Sequence, residues 1–137
     1  MKSAFVDSNI LVYRVEFNAG AKRDRAIELI DQLGEGLVIS TQVLQEFYVV
    51  ATSKAKVAPS LARLVVETLS QRRVVTVSPA IITSAIDTSE RYRISFWDAL
   101  IVEAANFANC SVLYTEDLNH GQRVRGVLIQ NPFLDGR

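Results

Sequence analysis

The chain holds one cysteine, one histidine, three prolines and six glycines in 137 residues. A lone Cys110 excludes an intrachain disulfide and a cysteine zinc cluster, suits a reducing compartment, and reads as a small core residue beside an apolar run. Scarce glycine and proline leave little material for a flexible linker, so one domain over residues 1–137 is expected. Fifteen basic and fifteen acidic residues cancel, and with no net field any role toward nucleic acid must rest on local charge arrangement. No apolar run reaches the roughly 18 residues of a membrane span, and the amino terminus lacks the order of a signal peptide. A cytoplasmic protein without a membrane partner is expected. No glycine-rich phosphate loop or dinucleotide fingerprint occurs either.

What is present is alternation. Short apolar runs at 4–6, 37–39, 74–77, 111–114 and 127–129 have strand character. Between them, helical periodicity is carried by 8–17, 20–34, 41–53, 59–71, 79–92 and 95–108. Ser40 or Thr41 can cap the third helix, Pro59 and Pro79 suit first turns, and Gly34 and Gly36 suit a helix end. Strands separated by helices indicate parallel β-α units, with a sheet covered on both faces. The periodicity turns Leu61, Leu64, Val65 and Leu69 inward, and places Val43, Val49 and Val50 on one stripe.

Acids interrupt this apolar pattern. Asp7 ends the first strand and Asp117 closely follows the fourth, at the sheet edge where open parallel sheets bind ligands. Glu46 lies on the valine stripe of the third helix. Asp98 shares a stripe with Ile101, Val102 and Ala105, whereas Glu103 and Asn106 point elsewhere. Each acid has a plain structural alternative: Asp7 as the cap of the next helix, Asp98 in a capping box with Ser95, Asp117 as a turn residue, and Glu46 reaching solvent or an arginine. If the four meet, each pair at about 5 Å repels by roughly 3 kcal/mol at an effective dielectric near 20. A divalent cation relieves that repulsion, and an all-oxygen donor set suits Mg²⁺, with Mn²⁺ as a substitute.

Four segments now stand in order: Ala4-Phe5-Val6-Asp7-Ser8-Asn9-Ile10-Leu11-Val12-Tyr13, Thr41-Gln42-Val43-Leu44-Gln45-Glu46-Phe47, Ser95-Phe96-Trp97-Asp98-Ala99-Leu100-Ile101 and Leu113-Tyr114-Thr115-Glu116-Asp117-Leu118. Together they resemble the PIN domain, and within it the VapC-type toxins of bacterial and archaeal toxin–antitoxin pairs. The resemblance spans nearly the whole chain. It implies a three-layer α/β/α fold around a mainly parallel sheet of about five strands. It also implies a metal-dependent endoribonuclease that leaves a 5′-phosphate and a 3′-hydroxyl. By position, Asp7, Glu46, Asp98 and Asp117 match the family's catalytic and metal-binding acids, with Glu116 an alternative to Asp117. Asn9 and Thr115 match polar positions that orient ligands. The implied partners are RNA, a cognate VapB-type antitoxin lying along an apolar groove near the third and fourth helices, and a second copy of the chain.

Bases that could hold the RNA backbone are Lys22, Arg23, Arg25, Arg72, Arg73, Arg91 and Arg93, each equally an ordinary surface charge. His120 sits in a turn near the last acid, and Trp97 is expected in the core rather than as a stacking face. Two other classes fit poorly. A receiver domain needs an acid adjacent to the first strand's aspartate and a lysine near the last strand; a haloacid-dehalogenase-type phosphatase needs an aspartate at position 9, which is Asn. The rival that remains is a PIN-like module that binds RNA or protein without cutting.

Overall fold

The first four apolar runs pair as parallel strands, because two helices between each run and the next carry the chain back to the start of the sheet. The computed structural model describes residues 3–134. Its strands are β1 (Ala4–Val6), β2 (Leu37–Ser40), β3 (Arg73–Val75), β4 (Val112–Tyr114), β5 (Arg123–Val124) and β6 (Val127–Gln130). They form one sheet in the order β3-β2-β1-β4-β6-β5, parallel except for the β5–β6 pair. The helices are α1 (Ser8–Val15), α2 (Ala21–Leu33), α3 (Thr41–Ser53), α4 (Pro59–Leu69), α5 (Pro79–Tyr92) and α6 (Phe96–Phe107). Every residue of β1 and β2 is buried, as a sheet covered on both faces requires, and the fold is a three-layer α/β/α sandwich.

The chain builds outward from β1 through β2 to β3, then returns to place β4 on the other side of β1. The strand order therefore reverses between β1 and β4, which opens a crevice at their carboxyl ends. Asp7 is the residue after β1, and Thr115 the residue after β4. The registers Phe5 to Leu113 and Val6 to Tyr114 bring those two ends level, and Asp7 N donates to the Tyr114 carbonyl at 3.0 Å.

Several expectations change. The sixth strand, β5, is only two residues long and is held to β6 by a tight turn in which Arg125 and Gly126 both have positive φ. Glu103, expected off the inward stripe, is 4% exposed. It accepts hydrogen bonds from Thr88 Oγ1 at 2.6 Å and from Arg125 Nε at 3.0 Å, so a hydroxyl from α5 and a cation from the hairpin compensate its burial. Trp97, expected in the core, is 63% exposed and packs edge-on to Phe96. Leu61 and Leu64, expected inward, are exposed, and so is Val49 of the valine stripe, so the apolar faces of α4 and α3 are wider than what the core covers. Cys110 is buried, as read from its neighbours.

Candidate active site

Asp7 caps α1: its Oδ1 accepts from Ser8 N at 2.7 Å. That capping role does not exhaust it, because Oδ2 accepts from Thr115 Oγ1 at 2.8 Å across the crevice. Thr115 is fully buried and is the hub of this edge. Its Oγ1 also accepts from Asn9 Nδ2 at 3.3 Å and from Asp117 N at 3.1 Å. Asn9, two residues beyond the cap on the first turn of α1, further donates from Nδ2 to Asp117 Oδ2 at 3.0 Å. Asp7, Asn9, Thr115 and Asp117 thus form one connected set joining the ends of β1 and β4.

Glu46 enters from α3. Its Oε1 accepts from Ser8 Oγ at 3.1 Å and its Oε2 from Gln42 Nε2 at 3.2 Å. Gln42, one helical turn earlier on the same face, also donates to the Trp97 carbonyl at 3.1 Å, tying α3 to the first turn of α6. Ser8 and Gln42 were not singled out from the sequence. The signal for Gln42 was present, since residues four apart on a helix are neighbours. Asp98 lies on the first turn of α6, where Ser95 Oγ accepts from Asp98 N at 3.0 Å.

The electrostatics follow from what is missing around these groups. Among the described residues, no lysine, arginine or histidine forms an ion pair with Asp7, Glu46, Asp98 or Asp117. Their partners are hydroxyls, backbone amides and carboxamides, which orient a carboxylate without cancelling its charge. Burial pushes the Asp7 carboxyl from 3.8 up to about 7; the Thr115 and Ser8 bonds oppose this, and the negative charges of Asp117 and Glu46 add to it. Burial also raises Asp98, with Asp117 and Glu46 adding to the effect. Asp7 and Asp98 therefore each feel the charges of Glu46 and Asp117.

Asn9 Oδ1 and Gln42 Oε1 are buried without a donor among the described residues. A pair of orphaned carbonyl oxygens beside mutually repelling carboxylates is a donor set that fits a hard divalent cation. The cluster is open: among the described residues, no three carboxylate, imidazole or thiol side chains form a ready-made cage.

Glu116 turns away from this set. Its carboxylate accepts from Lys22 Nζ at 2.9 Å and from the Tyr13 hydroxyl, and Lys22 also lies over the Tyr13 ring. Of the two adjacent acids, Asp117 is the one joined to Asn9 and Thr115. Other candidates have structural partners. His120 Nδ1 accepts from Asn131 N at 2.9 Å and fastens a turn. Arg72 and Arg73 lie at the amino end of β3, where Arg72 reaches the Gly34 carbonyl, on the edge opposite the acids. Arg25 is held by Glu28 and the Pro132 carbonyl.

A family model described as the PIN domain matches residues 4–125, a stretch that contains all four acids. The chain belongs to the PIN domain family. A comparison with curated protein sequences gave no match. Among solved structures, this PIN domain is similar to a toxin–antitoxin complex from Klebsiella pneumoniae at TM-score 0.72 and 21% identity, covering 96% of this chain and 98% of that one. It is also similar to VapC20 of Mycobacterium tuberculosis, described as a toxin that cleaves the sarcin–ricin loop, at TM-score 0.70 and 21% identity, covering 84% and 92%. DNA-bound VapBC from Salmonella typhimurium gives TM-score 0.70 at 20% identity, covering 96% and 99%. At such identities the likeness is one of fold.

Proposed function

We propose that this PIN domain is a metal-dependent endoribonuclease and the toxin of a VapBC-type pair, acting in the cytoplasm. The observation that carries the reading is the cluster of Asp7, Glu46, Asp98 and Asp117 at the crevice, oriented by neutral donors and paired with no cation among the described residues. Asp7 and Asp98 would hold Mg²⁺ or Mn²⁺, with Glu46 and Asp117 completing the set directly or through water. The chemistry such a metal would supply is an acidified water and stabilisation of charge on the phosphate. The chain's own groups do the rest. Thr115 and Ser8 fix the two Asp7 oxygens, Gln42 and Ser8 fix Glu46, and Asn9 fixes Asp117, so little reorganisation remains for the reaction. The exposed Trp97 ring beside Asp98 offers a stacking face for a base.

The antitoxin reading rests on a different face. An apolar cavity of about 850 Å³ lies between α3 and α4, lined by Leu44, Tyr48, Val49, Pro59 and Val66. With Leu61 and Leu64 exposed alongside, this face suits the apolar side of a partner chain, from an antitoxin or a second copy. Toxin–antitoxin complexes are named among the structures of like fold.

The rival reading, a PIN-like module that binds without cutting, draws on the open spacing of the acids. One experiment separates the two. Purified protein is incubated with a mixed RNA pool and Mg²⁺ or Mn²⁺, beside EDTA and Asp98→Asn controls. Metal-dependent cleavage that disappears in the variant is expected. Cleavage that persists in both controls overturns the mechanism, and a folded, metal-binding protein that binds the pool and cuts nothing favours the rival.

A further inference from the structure

A second cavity opens beside the acids. It has a volume of about 460 Å³ and shares Ser8, Asn9 and Asp117 with the acid cluster. From there it runs between α1 and α3 to the carboxyl ends of both helices. Its walls are apolar in the middle, at Val12 and Val50, with the Tyr13 ring beside them. Its far rim carries one charge of each sign, Lys54 after α3 and Glu16 after α1. Neither side chain forms an ion pair among the described residues. The other acid on the rim, Glu116, is already matched by Lys22.

We propose that this cleft receives the nucleotide next to the scissile bond, with Lys54 holding its phosphate and Glu16 accepting from an amino group on its base. The inference rests on the ribonuclease reading and adds a substrate subsite to it. The volume lies in the range of small-molecule sites, about 300–1,000 Å³, and suits a single nucleotide. The order of chemistry along the cleft matches the order along an RNA strand: acids at the reacting phosphate, apolar walls where a sugar and base pass, and a cation at the next phosphate. A carboxylate at the end of an apolar slot selects bases that present an amino group, because it accepts and cannot donate. Lys54 is exposed and lies on the final turn after α3, so its substitution removes a charge and leaves the core untouched.

The test measures binding of a short fluorescent single-stranded RNA of mixed sequence across a salt series, together with Mg²⁺-dependent cleavage kinetics. The proteins are wild type, Lys54→Gln, Lys54→Arg, Glu16→Gln and, as a control outside the cleft, Lys56→Gln. Losing one phosphate contact should weaken RNA binding about three- to tenfold and flatten the log–log salt slope by about 0.7. KM should rise at unchanged kcat, the signature of lost uniform binding. Lys54→Arg should restore all three readouts, and Lys56→Gln should track wild type. Glu16→Gln should change which base is found next to the cut.

An Lys54→Gln protein with wild-type KM and salt slope, or a loss matched by Lys56→Gln, overturns the subsite and leaves the cleft to a protein segment. A changed salt slope in Lys54→Gln, with no cleavage by wild type in any metal, retains the subsite and removes the nuclease reading. Metal-dependent cleavage indifferent to Lys54 does the reverse.

Discussion

Two buried carboxylates in this fold have opposite surroundings. Glu103 and Asp7 are each 4% exposed. Around Glu103 the chain supplies a hydroxyl from Thr88 and a guanidinium from Arg125, so the charge is compensated from within. Around Asp7 it supplies a hydroxyl from Thr115, an amide from Ser8 and two further acids. Burial alone therefore does not distinguish the two. What sets Asp7 apart is a buried charge that the chain orients and leaves without a counter-ion, which costs stability unless something outside the chain binds there.

Asp7 should separate the two regions by the largest effect. Asp7→Asn keeps the shape and removes the charge. RNA cleavage should fall at least about a hundredfold, since several kcal/mol of charge stabilisation depend on the metal it would hold. The thermal midpoint of the metal-free protein should rise, because a desolvated charge and its repulsion from Asp117 and Glu46 are gone. A calorimetric scan beside the cleavage assay checks both. A falling midpoint would mean that Asp7 is structural in the way Glu103 is.

At Glu103 the order inverts. Arg125→Met leaves a buried carboxylate with only Thr88, and should cost about 2 kcal/mol, less than a fully buried pair because Arg125 is itself 42% exposed. Glu103→Gln should cost about 1 kcal/mol, since the amide still bonds Thr88 and the arginine can reach water. Both should leave kcat at the wild-type value. Denaturant midpoints at unchanged slope measure the first claim, and cleavage at matched folded fraction measures the second.

The sequence carried one of these two regions far better than the other. Asp7, Glu46, Asp98 and Asp117 stand at strand ends, a helix start and a helix stripe, positions set by local pattern, and β-α alternation then dictates which sheet edge they share. Glu103 was misplaced because a helical wheel describes one helix, while its burial is decided by Thr88 on α5 and Arg125 in a two-residue turn. Leu61, Leu64 and Trp97 failed in the other direction. Apolar character states that a side chain gains from being covered, without stating that this chain does the covering. Ser8, the Gln42 bond to Trp97 and the choice between Glu116 and Asp117 depend on contacts between residues far apart in sequence, Glu116 with Lys22 being the clearest.

The two carboxylates should also differ in how stability responds to pH. The Asp7 carboxyl lies near 7 in the folded protein against 3.8 ordinarily, so between those values the native state keeps a proton that the unfolded chain has lost. Stability of the metal-free protein should accordingly fall as pH rises across that window, and this group adds no further change above about 7. Raised Asp98 contributes with the same sign. Metal binding needs the carboxylates deprotonated, so Mg²⁺ affinity should climb over the same window and saturating Mg²⁺ should offset the fall. Unfolding free energies with and without Mg²⁺, compared between wild type and Asp7→Asn, isolate the contribution: the slope should shrink in the variant.

The finest division lies between neighbours, Glu116 and Asp117. Lys22 and Tyr13 hold Glu116 on one side of the loop, while Asn9 and Thr115 hold Asp117 on the other. Opposite tethers on consecutive residues fix the direction in which each side chain leaves the backbone. On this view Glu116 acts by positioning Asp117, and Glu116→Gln, which can still accept from Lys22, should change Mg²⁺ affinity less than about twofold. Lys22→Met removes the stronger tether and frees a carboxylate one residue from the cluster. Mg²⁺ affinity should then fall about two- to fivefold, less than the roughly 10–100-fold loss usual for outer-shell partners of metal ligands, because the freed negative charge offsets part of the lost positioning. Asp117→Asn should exceed both. Titration calorimetry with Mg²⁺ orders the three variants. A larger loss in Glu116→Gln than in Asp117→Asn would assign the metal-facing role to Glu116 and make its bond to Lys22 a feature of the metal-free state.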